Sequence, residues 1–85
     1  MASYKVEIKR SAAKELEQLP PKDRARVATR ILSLATDPRP PGAEKLSGQE
    51  QYRVRQGYYR ILYEIHDDLV VVIVVKIGHR RDVYR

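Results

Sequence analysis

The stretch Gln51-Tyr52-Arg53-Val54-Arg55-Gln56-Gly57-Tyr58-Tyr59-Arg60-Ile61-Leu62-Tyr63-Glu64-Ile65-His66 decides the fold. Residues 51–56 alternate, Tyr52 and Val54 on one face against Arg53 and Arg55 on the other. Residues 59–66 do the same, Tyr59, Ile61, Tyr63 and Ile65 against Arg60, Leu62, Glu64 and His66. A period of two marks half-buried strands, and Gly57 supplies the turn that makes them a hairpin. Opposed residues share a face, so Val54 must meet Ile61. Arg55 then meets Arg60, and Arg53 meets Leu62. Three arginines project from the face away from the apolar one. Like charges directly opposed are destabilising. Either an anion meets these arginines, or they serve only to keep the sheet from associating edge to edge.

Reading outward, Asp67-Asp68 marks the next turn. Leu69 to Ile77 is apolar on both faces except for Lys76, which predicts a central strand stopped by Gly78. His79 to Arg85 is a polar tail. At the other end, Tyr4, Val6 and Ile8 alternate with Lys5, Glu7 and Lys9, predicting a strand over 4–9. Ser11 offers an N-cap, with Ala12, Leu16 and Leu19 at helical spacing behind it. Pro20-Pro21 ends that helix and opens a second, whose stripe is Val27, Ala28, Ile31, Leu34 and Ala35. Residues 37–50, with three of the five prolines, read as a connecting loop in which Lys45-Leu46-Ser47-Gly48 leads into the sheet. The order is strand, two helices, three strands. It predicts an α+β fold: a largely antiparallel four-stranded sheet with a helical hairpin on one face.

Composition agrees with a single domain over residues 1–85 and narrows its chemistry. The chain has 17 Lys+Arg, 11 Asp+Glu and a formal net charge of +6. With no Cys, it has neither a disulfide framework nor a Cys nucleophile or metal ligand. His66 and His79 are its only histidines, so a zinc cluster and a metal cofactor are not expected. The longest apolar run is too short to span a bilayer and no apolar signal segment opens the chain, so a soluble, cytoplasmic protein is expected. The basic excess suits an anionic partner, nucleic acid or an acidic protein, and also serves solubility alone.

The Asp67-Asp68 hairpin returns the end of the last strand beside the start of the strand at 59–66. Arg80 and Arg81 then emerge near Arg60, with Tyr84 close by. Cations interleaved with rings suit single-stranded RNA or DNA: charge for phosphate, a ring face for a base. Four of the six tyrosines lie within residues 52–63. Tyr52, Tyr59 and Tyr63 fall on the core face, which leaves Tyr58 and Tyr84 as stackers. His79 is a possible base, or an ordinary exposed residue at a strand end. His66 reads as a turn residue, and Glu64 as a partner for an arginine.

The run Tyr52 to Ile65, the apolar strand ending in Lys76-Ile77-Gly78, and His79-Arg80-Arg81-Asp82-Val83-Tyr84 together resemble the RelE/ParE toxin superfamily. The Ser11-Ala12-Ala13-Lys14 helix start, the Leu19-Pro20 break and Lys45-Leu46-Ser47-Gly48 also fit. The similarity spans nearly the whole chain, and the ending resembles the RelE side. The resemblance implies a toxin of a type II toxin–antitoxin system that cuts mRNA in the ribosomal A site. The ribose 2′-OH attacks the adjacent phosphodiester without a metal, leaving a 2′,3′-cyclic phosphate and a free 5′-OH. By motif position, Arg60 resembles the arginine that holds the scissile phosphate and Arg80 the one at the leaving oxygen. Tyr84 resembles the tyrosine that orients or stacks on the base. Arg53, Arg55, Lys45, Arg81 and Tyr58 are the expected RNA contacts. Arg53 and Arg55 stand where the best-known RelE has lysines. Arg, with a pKa above about 12, almost never gives up its proton. The base is then another group, such as His79, or base catalysis is weak.

The superfamily leaves two other readings open: a ParE-like inhibitor of DNA gyrase, and a chemically inactive, antitoxin-binding member. All three imply a cognate antitoxin, DNA only indirectly through the antitoxin complex, and no membrane. The strand 69–77 is expected to expose Val and Ile on the helix-free face. An acidic, amphipathic antitoxin segment would cover that patch and neutralise the arginines.

Overall fold

The computed structural model describes residues 3–46 and 50–79. The elements run β1 (Lys5–Ile8), α1 (Arg10–Glu17), α2 (Pro21–Ser33), β2 (Glu44–Lys45), β3 (Gln51–Gln56), β4 (Tyr59–His66) and β5 (Val71–His79). The sheet order is β1-β5-β4-β3-β2, with β1 parallel to β5 and the other pairs antiparallel. This is the expected α+β architecture with one added strand. The two residues of β2 are too few to show a period of two, and they read as loop.

One face of the sheet carries the core. Tyr52, Val54, Ile61, Tyr63, Ile65, Val72, Val74 and Ile77 pack against Ala12 of α1 and Val27, Ile31 and Leu34 of the α2 region. The β3–β4 register is the one parity requires: Val54 opposite Ile61, Arg55 opposite Arg60, Arg53 opposite Leu62. Gly57 turns this hairpin at φ +61°, a left-handed conformation that glycine adopts without a Cβ clash.

Three local expectations are corrected. Helix α1 is capped by Lys9 rather than Ser11, with no side-chain cap. The Lys9 amide still bonds Val74 of the sheet while its carbonyl opens the helix to Ala13, both at 2.9 Å, so no linker residue remains for a serine cap. The last strand begins at Val71, because Leu69 and Val70 belong to the β4–β5 turn. It runs through Gly78 to His79, with Gly78 paired to Arg60.

The register of β4 against β5 also slips. Leu62 faces Lys76 but Tyr63 faces Val74, so Val75 is the extra residue of a β-bulge. Before it Val72 and Val74 are buried, and after it Ile77 is. Beyond the end of β1, Glu15 of α1 supplies the acceptors that a neighbouring strand would. Its carboxylate takes the Ile77 amide and the Lys76 ammonium, each at 3.0 Å.

The proline-rich connection is tied to the sheet. The buried Tyr63 hydroxyl donates to the Pro38 carbonyl at 2.7 Å. Arg39 donates to the Tyr52 hydroxyl at 3.1 Å and to Asp67 at 2.8 and 3.3 Å. The Tyr4 hydroxyl donates to the same Asp67 at 2.6 Å.

Candidate nucleic-acid interface

Strands β3 and β4 present Arg53, Arg55 and Arg60 on the helix-free face, because Tyr52, Val54 and Ile61 occupy the core face. Arg60 is flanked by Arg55 on β3 and by Gly78 on β5. Glycine adds no side chain beside it. Arg60 lies low on the sheet, only 9% exposed, while Arg55 is exposed. A guanidinium fork in this setting fits two phosphate oxygens at once.

The face is less uniformly basic than alternation alone suggests. Arg53 is ion-paired with Glu44, its cross-strand partner on β2, and its side chain is only 11% exposed. Glu44 lies in the stretch read as loop, so no sequence signal placed it there. Lys45 faces Tyr52 across the β2–β3 ladder and therefore takes the core-side parity, apart from the arginines; it pairs with Glu50 at 3.9 Å. Glu64 pairs with His66 at 2.9 Å rather than with an arginine. Two residues apart on β4, they share a face and one reach.

Alongside Glu64, the helix-free face holds an open depression of about 590 Å³ lined by Glu7, Ile8, Lys9, Glu64, Ile73 and Val75. This is where the expected apolar exposure falls, on half-buried Ile73 and Val75.

The hairpin tip carries the rings. Tyr58 is 69% exposed. The His79 ring lies nearly parallel to it, centroids 6.2 Å apart at 14°, and meets Tyr59 edge-on at 6.0 Å. His79 is the cross-strand partner of Tyr59, so register sets it on the Tyr59 side of the sheet and not on the Arg60 side. The Tyr59 hydroxyl donates to Asp23 of α2 at 3.0 Å, and that bond raises its phenol pKa. Arg80, Arg81 and Tyr84 lie outside the described residues.

A family model described as the ParE toxin of the type II toxin–antitoxin system matches residues 6–84. The chain belongs to the RelE/ParE toxin superfamily. Within it the similarity is to RelE-family toxins of type II toxin–antitoxin systems. Toxin RelG of Mycobacterium tuberculosis is 33% identical over 86 residues, covering 96% of this chain and 97% of the relative. The RelBE2 toxin–antitoxin complex of the same organism matches with a TM-score of 0.84 at 29% identity, over 96% of this chain and 97% of that one. The archaeal RelE–RelB complex of Pyrococcus horikoshii gives 0.84 at 28% identity, over 94% and 98%. The RelE-like fold expected from the sequence is the fold observed. No helix among the described residues is long and apolar enough to cross a membrane.

Proposed function

We propose that this RelE/ParE-superfamily toxin is a ribosome-dependent mRNA endonuclease, silenced by a cognate antitoxin. The observation that carries the reading is the set Arg53, Arg55 and Arg60 on one helix-free face, with Gly78 as the cross-strand neighbour of Arg60 on β5. In the proposed reaction the 2′-oxygen bonds to phosphorus as its hydroxyl proton passes to water, and the bond to the 5′-oxygen breaks as that oxygen takes a proton and leaves as the 5′-hydroxyl. The phosphorane gains negative charge on the way. Arg60 holds the scissile phosphate and Arg55 adds a second cation, with Arg53 partly offset by Glu44. Arg80 and Tyr84 keep the roles their motif positions imply, at the leaving oxygen and on the base.

Guanidiniums serve as cations rather than bases, and His79 takes the other face. The catalysis is therefore mainly electrostatic, with a weak base. Removing one donor to a developing oxyanion typically costs about 10²–10³ in rate. Arg60→Ala is expected to lose that much cleavage on programmed ribosomes, Arg60→Lys less, and His79→Gln under about tenfold. Undiminished cleavage by Arg60→Ala contradicts the assignment.

The antitoxin partner is supported by the two relatives above that are toxin–antitoxin complexes. Its expected seat is the depression at Ile73 and Val75 together with the arginines, which an acidic amphipathic segment matches in both polarity and charge.

A further inference from the structure

A second basic surface lies on the other side of the molecule. Arg26, Thr29, Arg30 and Ser33 form one stripe of α2, at the i, i+3, i+4, i+7 spacing of a single helix face. With Ala25 and with Gln56 of β3 they line a groove of about 400 Å³. Arg26 and Gln56 also line a smaller adjoining cavity of about 150 Å³, whose other walls include Asp23, Tyr58 and Tyr59. The two spaces share Arg26 and Gln56, and the second reaches Tyr58, whose ring is stacked with that of His79.

Three observations give this groove a ligand. First, its arginines, Arg26 and Arg30, are in no ion pair among the described residues, whereas Arg39 and Arg53 are ion-paired. The Arg30 Nε is shielded from solvent and has no acceptor among the described residues. Second, Tyr58 is a large exposed ring, and its neighbouring His79 ring is nearly parallel to it. Third, the rings are braced. His79 packs edge-on against Tyr59, and Tyr59 is hydrogen-bonded to Asp23 at the start of α2. An exposed ring stacked on a braced one, beside guanidiniums in no ion pair, meets the needs of one ligand class, a base to stack and a phosphate to hold.

We infer that the α2 groove, together with the Tyr58–His79 ring pair, is a second RNA-binding site separate from the arginine face of the sheet. It takes a single-stranded stretch, one base on Tyr58 and the flanking phosphates along Arg26 and Arg30. Asp23 and Tyr59 are positioning residues that fix the His79 ring. The inference rests on RNA as the ligand of this chain but not on cleavage. The groove also runs beside the end of β3, where β2 pairs only with Tyr52 and Arg53. An acidic peptide strand is thus the rival occupant.

The test uses the full chain carrying Arg60→Ala, so that RNA is not cut. Fluorescence anisotropy measures binding of an eight-nucleotide single strand containing 4-thiouridine, and of mRNA-free small ribosomal subunits. Photocrosslinking then maps the contacted residue. Arg26→Glu with Arg30→Glu is expected to weaken binding at least tenfold. It should also flatten the salt dependence of the oligonucleotide complex by about 1.4, from roughly 0.7 per phosphate contact on a single strand. Tyr58→Ala is expected to weaken binding about 5- to 100-fold and remove the crosslink, with Tyr58→Trp restoring both. Asp23→Asn is expected to lower crosslink yield at His79 while the thermal melt stays cooperative. Loss with the oligonucleotide identifies a messenger-like strand, and loss with the subunits alone identifies ribosomal RNA. If the Glu variants do not fold, Arg26→Gln with Arg30→Gln takes their place. Binding that survives the α2 variants within twofold and falls only with Arg53→Glu and Arg55→Glu overturns the inference. So does an acidic peptide crosslinking to Tyr58 where RNA does not. A wild-type chain that fails to cleave but keeps the α2-dependent binding removes the endonuclease reading and leaves this one standing.

Discussion

Val70 sits in the β4–β5 turn at φ +54°, a conformation that L residues avoid and β-branched ones most of all. Its backbone is held there because its carbonyl accepts the Lys5 amide at 2.9 Å. The left-handed conformation costs roughly 1–2 kcal/mol per residue, against roughly 0.5–1 kcal/mol of chain entropy that glycine adds. Val70→Gly is therefore expected to stabilise the protein by about 0.5–1 kcal/mol in urea denaturation, and a loss of stability would contradict the account of this turn. Asp67, three residues earlier, is held at a pKa of about 2, first by the Arg39 guanidinium and then by the Tyr4 hydroxyl. Folding thus favours its charged form. That contribution is present above the ordinary carboxylate value of 3.8 and is lost as pH falls through about 2. Asp67→Asn should melt lower than the parent at pH 7, with the gap closing between pH 4 and pH 2. A gap constant over that range would show that the ion pair contributes nothing. Asp67 was legible as a turn residue from its neighbour Asp68. Its bonds to Tyr4 and Arg39 were not, because partners 63 and 28 positions away leave no local pattern.

At the scale of elements, α1 does more than cover the sheet. Where β1 stops, the bulge at Val75 leaves the Ile77 amide on an open edge of β5, and Glu15 takes it. Removing that acceptor leaves a half-buried donor unpaired, at a cost of about 1–3 kcal/mol. Glu15→Ala is expected to lose that much in chemical denaturation. Glu15→Gln keeps an acceptor oxygen and should lose less. Equal losses would mean that the charge, not the hydrogen bond, matters. Hairpin and helices were readable because each carries a strong period: two in Tyr52–Val54 and Tyr59–Ile65, and 3.6 in Val27, Ile31 and Leu34. The bulge was not, because a run of Val and Ile is apolar on either face, and a one-residue slip within it changes no pattern. Ser11 drew the helix start to the wrong residue because its capping chemistry is local, whereas the actual start is set by the bond from Lys9 to Val74, a strand residue far away in the chain.

The whole molecule presents two basic surfaces back to back, and they serve different parts of the account. The arginine face of β3 and β4 could be read from parity alone, once Val54 and Ile61 were required to share the core. Glu44 could not, since a two-residue strand inside a proline-rich connection has no signature, and it reduces the free charge of that face by one partner. The α2 groove was invisible for a different reason. Arg26 and Arg30 read as the ordinary solvated side of an amphipathic helix until the fold set Gln56 beside both and Tyr58 near Arg26. The family membership, by contrast, was carried by contiguous motifs, which survive in sequence without any knowledge of packing.

The central claim is that the arginine face cleaves mRNA only within the ribosome. The measurement that tests it most directly is primer extension to map 5′ ends after the purified toxin is added to ribosomes stalled on a defined mRNA, with free mRNA and the Arg60→Ala protein run alongside. The account predicts a new 5′ end inside the A-site codon with the wild-type chain on ribosomes, and none with free mRNA or with Arg60→Ala. The absence of any new end on ribosomes, together with inhibited DNA supercoiling by the same protein, would contradict it.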